Sequence, residues 1–178
     1  YKIKLLKIGN PEDMCTDIEP LSKKEFVEVI NEQVRKSVVL GAKIIFKASY
    51  NNTNGYFMGP IVLVSKNLNI PIFQEEVFGP VISIYVFNDG DDIIKIANDT
   101  DYGLGASLWT KDKKIINTFK KNINSGALFI NGMTKSDPRI PFGGIKKSGY
   151  GRELSIEGIK EFVNIKSIVM QKDEVKNV

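Results

Sequence analysis

Three places in this chain carry side chains able to do chemistry. Cys15, the only cysteine, lies in GNPEDMCTDIEP (residues 9–20). A lone cysteine serves as a nucleophile where cations, a helix N-terminus or a base support its thiolate. Here Glu12, Asp13, Asp17 and Glu19 crowd it, and no basic residue lies nearer in sequence than Lys23 on one side and Lys7 on the other, so Cys15 reads as inert. The chain has no histidine, which removes Ser–His and Cys–His pairs. One cysteine without histidine also cannot close a zinc site.

The second place is QEEVFGPV (74–81). Adjacent Glu75 and Glu76 point opposite ways in an extended segment, so they cannot act as one acid/base pair. One carboxylate facing a pocket can accept both hydroxyls of a ribose, and Phe78, two residues on, would share its face and lie against a flat ring. Alternatively, both glutamates are solvated and Phe78 belongs to the core. The third place is SDPRIPFGGIKKSGYGRE (136–153). Gly149-Tyr150-Gly151 is no dinucleotide fingerprint, because no strand leads into it and the third glycine is missing. Pro138, Pro141, Gly143 and Gly144 set a tight turn. Ser136 and Arg139 could hold an anion, one as a hydroxyl donor and the other as a charged fork. A structural salt bridge accounts for Arg139 equally well.

These residues must be positioned by elements that the sequence also signals. Ser22-Lys23-Lys24-Glu25 reads as a capping box, and Val27, Ile30, Val34 and Val38 follow at helical spacing. With Gly41 as the stop, a helix is predicted from Ser22 to Leu40. KIIFK (43–47), IVLVS (61–65), VISIYVF (81–87), ASLWT (106–110) and ALFIN (127–131) read as strands, with NNTNGY (51–56) a turn. Asp91 to Asn98 and a segment capped by Asp112 and ending near Asn122 read as helices. Strands alternating with helices over short links imply parallel β-α-β units. Residues 134–151 form a loop rich in Gly, Pro, Ser and Lys, and Arg152 to Phe162 reads as a helix. VNIKSIVMQ (163–171) is a final extended segment with no evident partner, the kind that adds to a sheet in another subunit.

Bulk composition narrows the classes. The chain has 178 residues, 42% hydrophobic and 26% charged, with a net charge of +4, an ordinary globular composition. Its lysines come in scattered pairs rather than a basic block, which gives no support to nucleic-acid binding. No apolar run reaches a membrane span and nothing resembles a signal peptide, so a cytoplasmic protein is expected. Tyr1 in place of Met fits a partial product.

Taken together, EEVFGP, NDTDYGLGASLWTKD and FINGMTKSDPRIPFGGIKKSGYGREL resemble, in order, the C-terminal part of the aldehyde dehydrogenase superfamily. LKIGNPEDMCTDIEPLSKKE is similar to the segment that follows that family's catalytic cysteine, and NGMTKSDPR before PFGG is most like the succinate-semialdehyde dehydrogenase branch. The resemblance implies oxidation of an aldehyde to its acid with NAD or NADP. It implies a parallel-sheet α/β catalytic domain over residues 1–147, with 148–162 returning towards a cofactor domain. Residues 163–178 would be the oligomerisation strand and tail, pairing through 163–171 in a homo-oligomer. Glu76 would bind the nicotinamide ribose and Phe78 flank the ring. Ser136 would meet the carboxylate of a semialdehyde, with Arg139 in support.

The departures matter as much. The family's nucleophile motif, general-base glutamate, oxyanion-hole asparagine and Rossmann-type domain belong upstream of the region matched here. No such motif occurs in this sequence, so the segment alone is expected to be inactive. Two other readings stand beside this one: a non-catalytic module that pairs through its tail with an intact dehydrogenase, and a small enzyme using Cys15 itself.

Overall fold

Helix α1 (Lys24–Val39) is amphipathic, and its buried positions are Ile30, Gln33, Val34 and Ser37. The computed structural model describes residues 2–50 and 55–170. Gly41 terminates α1 as expected. Its φ of +101° suits glycine, its N–H donates to the Val38 carbonyl, and the Ala42 N–H donates to that of Ser37. That is a Schellman pattern, which satisfies carbonyls the helix leaves open.

The start of α1 differs from the expected capping box. Lys23 is the N-cap and its side chain makes no cap hydrogen bond, so Ser22 sits one residue too early to serve. The cause is non-local. The Leu21 N–H donates to the Tyr56 carbonyl at 2.9 Å in an antiparallel bridge, which holds the chain extended up to the helix. The buried stripe also differs: Ser37 is enclosed, whereas Val38 is 40% exposed. Ser37 is tolerated because its hydroxyl donates to the Gln33 carbonyl at 2.7 Å and accepts the Ile72 N–H at 3.2 Å.

The chain divides into two compact units, Tyr1–Ile93 and Ile94–Val178. In the first, β1 (Lys43–Lys47), β2 (Ile61–Ser65) and β3 (Val81–Tyr85) form a sheet in that order. β2 and β3 are parallel, joined through the short helix α2 (Pro71–Gln74), whereas β1 runs antiparallel to β2 with an irregularity between Ile44 and Phe46. Ile30, Val34, Met58, Ile61, Leu63, Ile70 and Ile72 make one buried cluster, with Leu21, Phe73, Val77 and Val81 packed against it. β2 is central and β-branched, which is why it reads as a buried strand and is one. β3 stops at Tyr85, so Val86 and Phe87 of the expected strand lie beyond it and are exposed. Of the expected turn at 51–56, residues 51–54 lie outside the described residues.

In the second unit, β5 (Gly105–Leu108) and β6 (Ala127–Ile130) pair in parallel around helix α4 (Lys113–Asn122), the β-α-β unit expected from their order. Asp112 caps α4 through its carboxylate, which accepts the N–H groups of Lys114 at 2.7 Å and Ile115 at 3.3 Å. Asp112→Ala is expected to lower stability by about 1 kcal/mol, read as a lower midpoint of thermal unfolding by circular dichroism. Helix α3 (Ile93–Asn98) begins two residues after the expected Asp91, whose carboxylate instead accepts the Asn88 N–H at 2.6 Å.

β4 (Tyr102–Gly103) and β7 (Ile145–Lys146) form a small antiparallel pair that fastens the glycine-rich segment. Helix α5 (Ser155–Lys160) is shorter than the expected span from Arg152 to Phe162. Phe142 and Glu153 exchange two backbone hydrogen bonds of 2.8 Å, and Leu154 and Ser155 then take φ of +63° and +53°. Leu154 is the N-cap of α5, and its left-handed conformation keeps a right-handed helix from beginning before Ser155. Val163 to Met170 is exposed and makes no strand pairing among the described residues. Gln171, the last residue of the expected strand, lies outside them.

Candidate functional site

In the first unit, the site candidates follow directly from α2. Ile70 enters in extended conformation, Pro71 occupies the start of the helix, and the Ser37 hydroxyl receives the Ile72 N–H. The helix ends after one turn, and Glu75 is extended, with φ −108° and ψ 158°. The Glu75 carboxylate is then held by Gln33 of α1, whose Nε2 donates to Oε2 at 2.9 Å and to the Glu76 main-chain carbonyl at 3.3 Å. With Glu75 tied to α1, Glu76 projects the other way, as the alternation of an extended segment requires. Glu75 and Glu76 are both exposed, as one of the two readings has it, and Phe78 is 67% exposed. Phe78 is therefore not core, and neither glutamate is paired with the other. An exposed carboxylate two residues from an exposed ring fits a sugar diol attached to a flat heterocycle.

In the second unit, the loop after β6 is built on local polar locks. Asn131, at φ +53°, receives the Thr110 N–H on Oδ1 and donates from Nδ2 to the Thr110 carbonyl, both at 3.0 Å. The Ser107 hydroxyl accepts the Thr134 N–H at 3.1 Å. Ser136 then lies exposed on the loop. Arg139 is a different matter. Its Nε and Nη2 donate to the two oxygens of Asp137 at 2.9 and 2.6 Å, and its backbone N–H adds a third bond at 3.0 Å. Hydrogen bonding from Arg139 holds the Asp137 carboxyl well below the usual carboxylate range. A lowered carboxylate pKa keeps the pair closed at and above the ordinary carboxylate range, and only stronger acid opens it. The salt-bridge alternative thus describes what Arg139 does here, with Nη1 outside that fork. The Ser155 N–H donates to the Pro138 carbonyl at 3.1 Å, tying the loop to the start of α5. An open groove of about 810 Å³ runs alongside, with Pro138, Pro141, Leu154, Ile156 and Phe162 among its walls.

Cys15 is exposed in a turn whose geometry comes from the Asp13 carboxylate, which accepts the Cys15 N–H at 2.9 Å. No helix N-terminus meets it, since α1 begins at Lys24. Among the described residues, no group of three or more Cys, Asp or Glu side chains could hold a metal ion, and no helix is long and apolar enough to cross a membrane. Gln33 is the residue that sequence reading missed. Its signal was its place three residues after Ile30 and beside Val34, on the face that α1 buries.

The chain combines a mixed α/β fold with parallel strand pairs, an exposed Glu–x–Phe segment and a proline- and glycine-braced loop, the fold class expected from the sequence. The chain belongs to the aldehyde dehydrogenase family, whose model matches residues 1–168. It is 42% identical over 167 residues to a succinate-semialdehyde dehydrogenase [NADP(+)] of Mycobacterium leprae, covering 94% of this chain and 36% of that protein. A probable succinate-semialdehyde dehydrogenase [NADP(+)] of Synechocystis is 42% identical over 163 residues, with 92% and 36% covered. The crystal structure of succinic semialdehyde dehydrogenase from Streptococcus pyogenes with NADP+ superposes with a TM-score of 0.87 at 34% identity, covering 94% of this chain and 37% of that one. A Mycobacterium tuberculosis aldehyde dehydrogenase complexed with NAD+ gives the same TM-score and identity over 95% and 35%. The chain thus spans little more than a third of the length of these relatives.

Proposed function

We propose that this chain supplies part of the cofactor site and the substrate loop of an NAD- or NADP-dependent aldehyde dehydrogenase that oxidises succinate semialdehyde to its acid. The observation that carries this reading is the exposed Glu76 and Phe78 on a segment whose other glutamate is tied down, in a chain similar to succinate-semialdehyde dehydrogenases. Glu76 would accept the hydroxyls of the nicotinamide ribose, and Phe78 would limit where the ring can lie. The cofactor, when bound, accepts the hydride. Ser136 would donate to the distal carboxylate of the semialdehyde. Arg139 would brace that loop through Asp137 and offer Nη1 to the same anion.

Residues 1–147 would belong to the catalytic domain, 148–162 would return towards a cofactor domain, and 163–178 would be the tail. Phe162, Val163, Ile165, Ile168, Val169 and Met170 are all more than half exposed, which supports burial of this tail against another subunit of a homo-oligomer. A cytoplasmic setting fits this reading.

The test is an assay of reduced-cofactor formation with succinate semialdehyde, using the natural polypeptide that carries this chain and the 178-residue chain by itself. The natural polypeptide is expected to turn over, with succinate semialdehyde preferred over an uncharged aldehyde of equal length. The isolated chain is expected to show no activity, because its only cysteine is exposed in a stretch crowded by Glu12, Asp13, Asp17 and Glu19, which disfavour a thiolate. Activity of the isolated chain that disappears in Cys15→Ala overturns the proposal.

A further inference from the structure

Of the buried positions on α1, Ile30 and Val34 join the hydrophobic cluster and Ser37 caps α2, but Gln33 has no packing explanation. It is only 7% exposed. A buried amide is stable where both its ends are hydrogen-bonded. Its Nε2 end is complete, with Glu75 Oε2 at 2.9 Å and the Glu76 carbonyl at 3.3 Å. Its Oε1 end is enclosed without any partner. Reversing the amide would set its oxygen against a carboxylate and a carbonyl, so the two acceptors themselves establish where the nitrogen lies. A methionine would fill the same space and leave no orphan oxygen. What glutamine adds is a donor that grips two consecutive residues.

That grip decides which glutamate is presented. Glu75 and Glu76 are both exposed, but side chains alternate along an extended segment, and a slip of one residue would bring the Glu76 carboxylate rather than that of Glu75 against α1. We infer that Gln33 is a positioning residue that holds Glu75 against α1 and fixes the peptide after Glu76, so that Glu76 is the carboxylate offered to the cofactor ribose. The inference rests on the proposed role of Glu76.

The experiment compares Gln33→Met, Glu76→Gln and the double variant in the natural polypeptide that carries this chain, with NADH and NADPH titrations followed by fluorescence alongside thermal unfolding. Gln33→Met is expected to weaken binding of the preferred cofactor about ten-fold while the unfolding midpoint stays level or rises. The double variant is expected to bind no more weakly than Glu76→Gln, because Gln33 acts through Glu76. Unchanged cofactor affinity in Gln33→Met, with Glu76→Gln impaired, overturns the positioning role alone. Unchanged affinity in Glu76→Gln overturns the ribose reading and this inference with it. Should Gln33→Met fail to fold, Glu75→Ala removes the same grip from the exposed side, and a level affinity there is equally fatal.

Discussion

Gly126→Val is expected to lower stability by about 3 kcal/mol or more, measured as the denaturant midpoint followed by circular dichroism. Gly126 immediately precedes β6, and its N–H donates to the Gly103 carbonyl at 2.9 Å. A Cβ built there would run into the carbonyl oxygen of Gly143, with the Leu104 carbonyl 3.0 Å away. Both obstacles are backbone, so neither can yield by a change of rotamer. Gly143 opens the second half of the proline- and glycine-rich turn and sits at φ +157°. Moving it would disturb the neighbouring Phe142–Glu153 bridge and, through that bridge, the start of α5. Gly132 is the control. Nothing lies within 4 Å of its Cβ position, so Gly132→Ala should leave the midpoint within about 0.5 kcal/mol of the parent. Equal midpoints for Gly126→Val and Gly132→Ala would show that the loop does not pack on β6 as described.

Glu76→Gln, in the natural polypeptide, is expected to weaken binding of the nicotinamide cofactor by about 10- to 100-fold. That range corresponds to the ~1.5–3 kcal/mol typical of hydrogen bonds to a charged acceptor. The ionised carboxylate offers only acceptors, which suits a vicinal diol, whereas the amide replaces one acceptor with a donor. The fold should be untouched. Glu76 is exposed, and the contact it makes with Gln33 is through its main-chain carbonyl, which the substitution retains. A direct titration of reduced cofactor by fluorescence separates this from any loss of turnover. Full affinity with a level unfolding midpoint would remove Glu76 from the cofactor site.

Much of the architecture was legible because the signals that make it are local. Asp112 caps the residues immediately after it, Gly41 ends the helix immediately before it, and α4 falls between the two strands that it connects in parallel. The alternation that sends Glu75 and Glu76 opposite ways is likewise a property of any extended segment. The Asp137–Arg139 pair spans two residues and was one of the readings open for Arg139. The order of the motifs EEVFGP and PFGGIKKSGYGRE is enough to suggest the family.

What failed in the sequence reading failed through contacts made far along the chain. Ser22 is not a cap because Leu21 pairs with Tyr56, and Arg152 does not start a helix because Glu153 pairs with Phe142. The sequence by itself determined the elements, the candidate residues and the family, since periodicity, caps and motifs act over a few residues. Only the tertiary structure decided which carboxylate is held against α1. That choice depends on Gln33 reaching 42 residues along the chain to Glu75, and a part-buried hydrogen bond of that span exists only once α1 and the segment after α2 have packed together.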